Sequence, residues 1–149
     1  MKRSHTTFLR KTGEFGLIQI IRRSFPSQDP SILLGIGDDA AVLRPSSGRL
    51  LLLTVDTLRE GTHFLSSYTD PFSLWWKAAA VSLSDVAAMG GRPRFLLMSL
   101  SLPENVPETY LHELLQGMGT LLKRYSVSLG GGNISRSKQG MSIDTTLIG

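Results

Sequence analysis

Four aspartates occupy positions where a carboxylate is either costly or well placed for chemistry. Asp85 lies in an apolar run, and its neighbours three and four places away on a helix are Val81, Ser82, Ala88 and Met89. A carboxylate on such a face is costly unless something cationic meets it, so a salt bridge to an arginine, a cap to a neighbouring loop or a metal ion is needed. Asp38 and Asp39 are adjacent, between Gly37 and Ala40, where they repel each other and offer hard oxygen ligands. Asp56 follows an apolar run over 50–55, at the carboxyl end of an expected strand, where α/β-type folds gather ligands. Taken singly, each reads first as a turn aspartate. Taken together, in a chain with no cysteine, the oxygen-only set suits Mg2+ over Zn2+. Magnesium held by a few carboxylates expects phosphate oxygens to complete its shell.

A phosphate partner has its own signal. Gly130, Gly131 and Gly132 follow a short apolar run and lead into Asn133 and Arg136. Backbone N–H groups of successive small residues converge on an anion, and Arg136 adds a charge. No Gly-Lys-Ser/Thr follows, so this is not a Walker loop, and a plain flexible turn is the competing reading. His63 stands alone in its region and by itself reads as structural or solvated. Trp75 and Trp76 read as core.

The elements that must position these residues follow from periodicity. Apolar residues at Phe15, Leu17, Ile18, Ile20 and Ile21 predict a helix over 13–25, ending before Pro26. A strand over 32–36 runs into the aspartate loop, and a short strand follows it. The run over 50–55 predicts a strand buried on both faces. Asp70-Pro71 is an N-cap with proline at the first helical position, opening a helix to about Met89 that Gly90-Gly91 stops. A buried strand over 95–102, an amphipathic helix over 107–125, a strand over 126–129 into a glycine loop, and a last strand over 141–148 complete the pattern. Short connections between strands favour an α+β fold with a mixed sheet over a doubly wound parallel one.

Composition narrows the class. The 149 residues are 41% hydrophobic and 19% charged, enough for one domain with a real core. The net charge of +4 is a property of the start: without Lys2, Arg3, Arg10 and Lys11, 12 basic side chains balance 12 acidic ones. Residues 1–12 therefore read as a solvated, frayed basic leader and 13–149 as the folded domain, with no nucleic-acid partner expected. No apolar run is long enough to span a membrane and no secretory signal is present, so a cytoplasmic protein with no membrane partner is the expectation.

The order of motifs carries a resemblance. Gly-Ile-Gly-Asp-Asp-Ala-Ala-Val-Leu from Gly35, Thr-Val-Asp-Thr-Leu-Arg-Glu-Gly-Thr-His-Phe from Thr54, and Leu-Ser-Asp-Val-Ala-Ala-Met-Gly-Gly-Arg-Pro from Leu83 resemble the thiamine-monophosphate kinases. That family belongs to the aminoimidazole-ribonucleotide synthetase-like superfamily, and the likeness runs from about Gly13 to Gly149. It implies an α+β N-terminal domain with helices on one face of a mixed sheet, the sheets of two copies pairing into a barrel across a homodimer. It implies ATP and Mg2+ as cofactors and thiamine monophosphate as the phosphoryl acceptor. By position, Asp38, Asp39, Thr54, Asp56 and Asp85 would serve the metal, Gly131, Gly132 and Asn133 the nucleotide, with Arg136 nearby, and His63 the thiamine phosphate.

Three departures accompany the likeness. Asn133 stands where the family usually has aspartate, and Val55 where it often has a hydroxyl residue; the two positions serve the same ion. The family also continues into a second domain with further acidic ligands, so the chain reads as an N-terminal domain inactive alone. Another ATP-dependent synthetase of the superfamily, or a non-catalytic dimerisation or regulatory module, remains open at this point.

Overall fold

The computed structural model describes residues 30–44 and 48–149, with positions 15, 16, 18, 19, 23 and 24 ahead of them. The basic leader lies outside the described residues, as does most of the expected helix over 13–25. One six-stranded sheet carries the fold, made of β1 (Ile32–Leu34), β2 (Ala41–Leu43), β3 (Leu51–Arg59), β4 (Phe95–Leu102), β5 (Ser128–Arg136) and β6 (Ser142–Ile148). Among the described residues two helices pack with it, α1 (Pro71–Ala88) between β3 and β4 and α2 (Glu108–Tyr125) between β4 and β5. The strand order is β1-β2-β3-β6-β4-β5, with only β4 and β5 parallel, so the sheet is mixed and the architecture α+β, as expected.

Local chemistry sets the helix ends. Asp70 accepts the N–H of Ser73 at 2.8 Å and Pro71 occupies the first turn, where its missing N–H costs nothing. At the far end Gly91 donates to the carbonyl of Val86 and Gly90 to that of Ala87, closing the last turn of α1. α2 ends with Lys123 and Arg124 in its last turn, favourable against the helix dipole, and with Ser126 in the left-handed region.

The core lies between the helices and one face of the sheet. Leu74, Trp75, Ala78, Ala79 and Val86 of α1 meet Leu114, Met118 and Leu121 of α2 above Leu96, Leu100, Ile143 and Leu147 of the sheet. The opposite face is open, and Val55, Phe95 and Leu97 are 68%, 45% and 39% exposed on it. The strands over 50–55 and 95–102 are therefore not buried on both faces. They alternate, because both connecting helices, α1 and α2, pack on the same face and no described helix covers the second.

Two further expectations change. The strand that was to end before Asp56 continues to Arg59, since β6 pairs with it residue by residue from Leu53 to Arg59. Asp56 thus sits within a strand rather than beyond its end. The glycine run is also not a loop. Gly130, Gly131 and Gly132 belong to β5, laddered against β4, with a register irregularity at Leu96/Leu97. At Gly132 a side chain is excluded because β4 approaches too closely: a Cβ there would lie 1.8 Å from the carbonyl oxygen of Met98. At Gly131 the reason is the backbone, with a φ of 141°.

Candidate functional site

The polar centre of the molecule lies under α1, on the covered face of the sheet. Thr54, Asp56 and Leu58 alternate with outward residues along β3, and Thr145 stands opposite Asp56 on β6. Thr54 and Thr145 are 5% and 1% exposed, and Ser82 of α1 is fully buried. The Thr54 hydroxyl donates to Asp85 Oδ2 at 2.5 Å. The Ser82 hydroxyl donates to Asp56 Oδ2 at 2.7 Å and lies 2.8 Å from Thr145 Oγ1, which reaches the carbonyl of Ala78 at 3.3 Å. A chain of hydroxyl groups thus fixes both carboxylates and stitches α1 to β3 and β6.

Electrostatics mark this pair. Burial raises the Asp56 carboxyl above its ordinary range; the Ser82 hydroxyl opposes that, and the charge of Asp85 adds to it. Two carboxylates that repel each other in a partly desolvated place leave negative charge to be neutralised. Among the described residues Arg136 pairs with Glu104, and no lysine or arginine pairs with Asp56 or Asp85. The donors are all oxygen, and a hard divalent cation would offset both the burial and the Asp85 charge that raise Asp56. The residues present fit such an ion.

Asp38 and Asp39 remain apart from that pair. They are exposed, in the loop between β1 and β2, where Asp38 Oδ1 accepts the N–H of Asp39 at 2.9 Å and so serves the turn. Among the described residues no three of His, Cys, Asp and Glu converge as a metal cage. The four-aspartate cluster is therefore half assembled here: Thr54, Asp56 and Asp85 come together, while Asp38 and Asp39 do not join them.

The nucleotide residues are placed along an edge. Gly131, Gly132 and Asn133 are exposed on β5, the last strand of the sheet, and Asn133 lies opposite Ser99 of β4. Their backbone groups take part in a ladder instead of forming an anion nest, because β4 pairs with them through Arg136. Arg136 ends the same strand. Its guanidinium donates to Glu104 at 2.8 Å on the surface. His63 is exposed in the turn after β3, with Nδ1 accepting the N–H of Arg59 at 3.0 Å and its carbonyl accepting from Lys77 Nζ at 2.8 Å. Trp75 is fully buried and Trp76 stacks on Phe72 with ring centroids 6.4 Å apart, both structural.

Sequence reasoning missed three contributors. Ser82 was visible only as a neighbour of Asp85 three places back; its hydroxyl on an otherwise apolar helix face was the available signal. Thr145 gave none, because its partner is 67 residues away, and the contact of Lys77 to the His63 carbonyl spans 14 residues.

This arrangement of a mixed sheet and two covering helices has known counterparts. The sequence profile of the AIR synthase related protein, N-terminal domain, matches residues 37–149, and the chain belongs to that family. Within it, the chain is similar to thiamine-monophosphate kinase of Aquifex aeolicus, 41% identical over 95% of this chain and 43% of that protein. It is similar also to thiamine-monophosphate kinase of Synechococcus elongatus, 39% identical over 87% of this chain and 38% of that one. The solved structure of AaThiL complexed with AMPPCP and TMP superposes with a TM-score of 0.88 at 41% identity, covering 98% of this chain and 44% of that one. The chain spans less than half the length of the relatives it matches.

Proposed function

We propose that this chain supplies the nucleotide- and magnesium-binding half of a thiamine-monophosphate kinase, which moves the γ-phosphoryl of ATP onto thiamine monophosphate. The observation that carries the reading is the carboxylate pair Asp56–Asp85, oriented by Ser82 and Thr54 and lacking a cationic partner among the described residues. Supporting it are relatives of that name at about 40% identity and a structural neighbour holding AMPPCP, an ATP analogue, together with TMP.

In this reading Asp56 and Asp85 hold Mg2+, with Asp38 and Asp39 approaching from the β1–β2 loop. Bound there, the ion supplies neutralisation of charge on phosphoryl oxygens. The chain's own residues do the rest by positioning. Thr54 and Ser82 aim the carboxylates, Gly131, Gly132 and Asn133 meet the nucleotide along the β5 edge, and His63 orients the acceptor. The acceptor is already a phosphate, so no strong general base is required for in-line transfer. The open apolar face of the sheet is covered by the same face of a second copy, giving a barrel across a homodimer. Remaining acidic ligands come from a second domain, and the 13–149 unit turns over poorly or not at all without it. Such a biosynthetic enzyme works in the cytoplasm.

The test is calorimetric titration of ATP, with and without Mg2+, into this chain and into a version extended by the family's second domain. Magnesium-dependent affinity that Asp85→Asn abolishes is the expected result. Absence of any ion-dependent nucleotide affinity in the extended protein would instead identify a non-catalytic module.

A further inference from the structure

We infer that Lys77 is a second anion-holding residue at the acceptor corner, and that His63 acts there as a neutral hydrogen-bond donor through Nε2. This rests on the reading that His63 meets the phosphate of thiamine monophosphate.

The turn that carries His63 is fixed by its backbone. The N–H groups of Thr62 and His63 both donate to the carbonyl of Arg59, at 3.1 and 2.8 Å, and Gly61 donates to Phe64 at 2.9 Å. Gly61 takes a φ of 79°, open to glycine at no cost, and the buried Phe64 side chain pins the turn to the core. Into this frame the imidazole folds back, so that Nδ1 accepts the N–H of Arg59 at 3.0 Å. An acceptor nitrogen carries no proton, so the proton of the neutral ring is on Nε2. A proton on Nδ1 would point at another N–H and break the bond. The ring therefore presents one donor outward and no acceptor, which suits a phosphate oxygen and does not suit a base.

Lys77 reaches the same turn from α1. Its Nζ donates to the carbonyl of His63 at 2.8 Å, which uses one of its three N–H bonds and holds the ammonium beside the ring-bearing residue. The side chain is exposed, so the other two N–H bonds are available to an anion. The nearby Glu60 carboxylate does not neutralise it by contact: it accepts from the Ser66 hydroxyl and from the N–H of Met141 at 2.8 Å. A fixed cation next to a fixed neutral donor matches a phosphate monoester better than either alone. The helix also sets the spacing. At 1.5 Å per residue, Lys77 precedes Ser82 by roughly 7.5 Å and Asp85 by roughly 12 Å along the axis. One helix thus carries the acceptor cation, the Ser82 hydroxyl that holds Asp56, and Asp85, at separations on the scale of linked phosphoryl groups.

The experiment uses the extended protein, with steady-state kinetics varying thiamine monophosphate and ATP separately, and thermal unfolding of each variant. Lys77→Met should raise KM for thiamine monophosphate by about tenfold, as expected for a lost charge-assisted hydrogen bond, with KM for ATP and Tm unchanged. Lys77→Arg should recover most of the loss. His63→Gln, which keeps a donor near the Nε2 position, should outperform His63→Asn, which keeps only the inner acceptor. Long-range nitrogen–proton NMR of the His63 ring should show Nδ1 unprotonated. If His63→Asn weakens the acceptor while Lys77→Met does not, or if Lys77→Met weakens ATP equally, the inference fails and the kinase reading stands. A protonated Nδ1 overturns the tautomer. No response of the acceptor to either residue would sink the underlying reading.

Discussion

The hydrogen bond from Thr54 to Asp85 joins the strand to the helix at the proposed metal site, and a double-mutant cycle can weigh it. Thr54→Val keeps the shape of a side chain that is 5% exposed, so no cavity term enters. What is lost is one hydroxyl donor to a carboxylate at 2.5 Å. Hydrogen bonds to charged groups contribute about 1.5–3 kcal/mol. Asp85 is only half-buried, and water can replace part of the lost donor, so the lower end, about 1–2 kcal/mol, is the expectation. For a chain of this size that lowers Tm by roughly 3–6 °C. Urea unfolding of the wild type, Thr54→Val, Asp85→Asn and the double variant, all in chelator, isolates the coupling from other losses. A coupling energy of at least about 1 kcal/mol is expected. Coupling under about 0.5 kcal/mol would refute the argument that Thr54 holds the Asp85 carboxylate in place. Added Mg2+ should stabilise the wild type and leave Asp85→Asn nearly unmoved.

The pH dependence of Asp56 has a definite sign. Its carboxyl is raised in the fold, so its ionisation penalises the folded state, and that penalty is absent at low pH and grows as pH rises through the raised value. Asp56→Asn should therefore gain stability relative to wild type between about pH 3 and pH 7 in chelator, and Mg2+ should close the gap at neutral pH. A pH-independent difference in urea titrations would contradict this. Gly117→Ala should destabilise the protein sharply. Its Cβ would lie 2.1 Å from the Phe72 carbonyl oxygen and 2.8 Å from the carbonyl carbon, both backbone atoms of α1. Forcing the helices apart costs about 1–3 kcal/mol, read as a fall in Tm. A variant with unchanged Tm would show that the crossing is looser than described. Val55→Asp, on the open sheet face at 68% exposure, should leave monomer stability intact and abolish self-association in sedimentation experiments. A persistent dimer would place the interface elsewhere.

The sequence by itself determined what is local or ordered along the chain. The Asp70-Pro71 cap, the glycine stop at Gly90, the amphipathic period of α2 and the alternation of strands and helices are written in neighbouring residues. The mixed sheet and the family likeness followed from that order. Asp85 was also legible, because a carboxylate among Val81, Ala88 and Met89 is anomalous without any structure. The tertiary structure decided what depends on pairing. Whether Gly130 to Gly132 form a loop or a strand depends on β4 lying alongside, and β4 is some 30 residues earlier in the chain. How far β3 extends depends on β6, nearly 90 residues later at the Thr57–Asp144 pair. The grouping of Thr54, Asp56, Ser82, Asp85 and Thr145, and the separation of Asp38 and Asp39 from it, likewise arise only when α1 is laid across the sheet. Capping and periodicity act between near neighbours and leave their mark in the sequence. Cross-strand register and side-chain convergence act between residues whose proximity the fold alone creates.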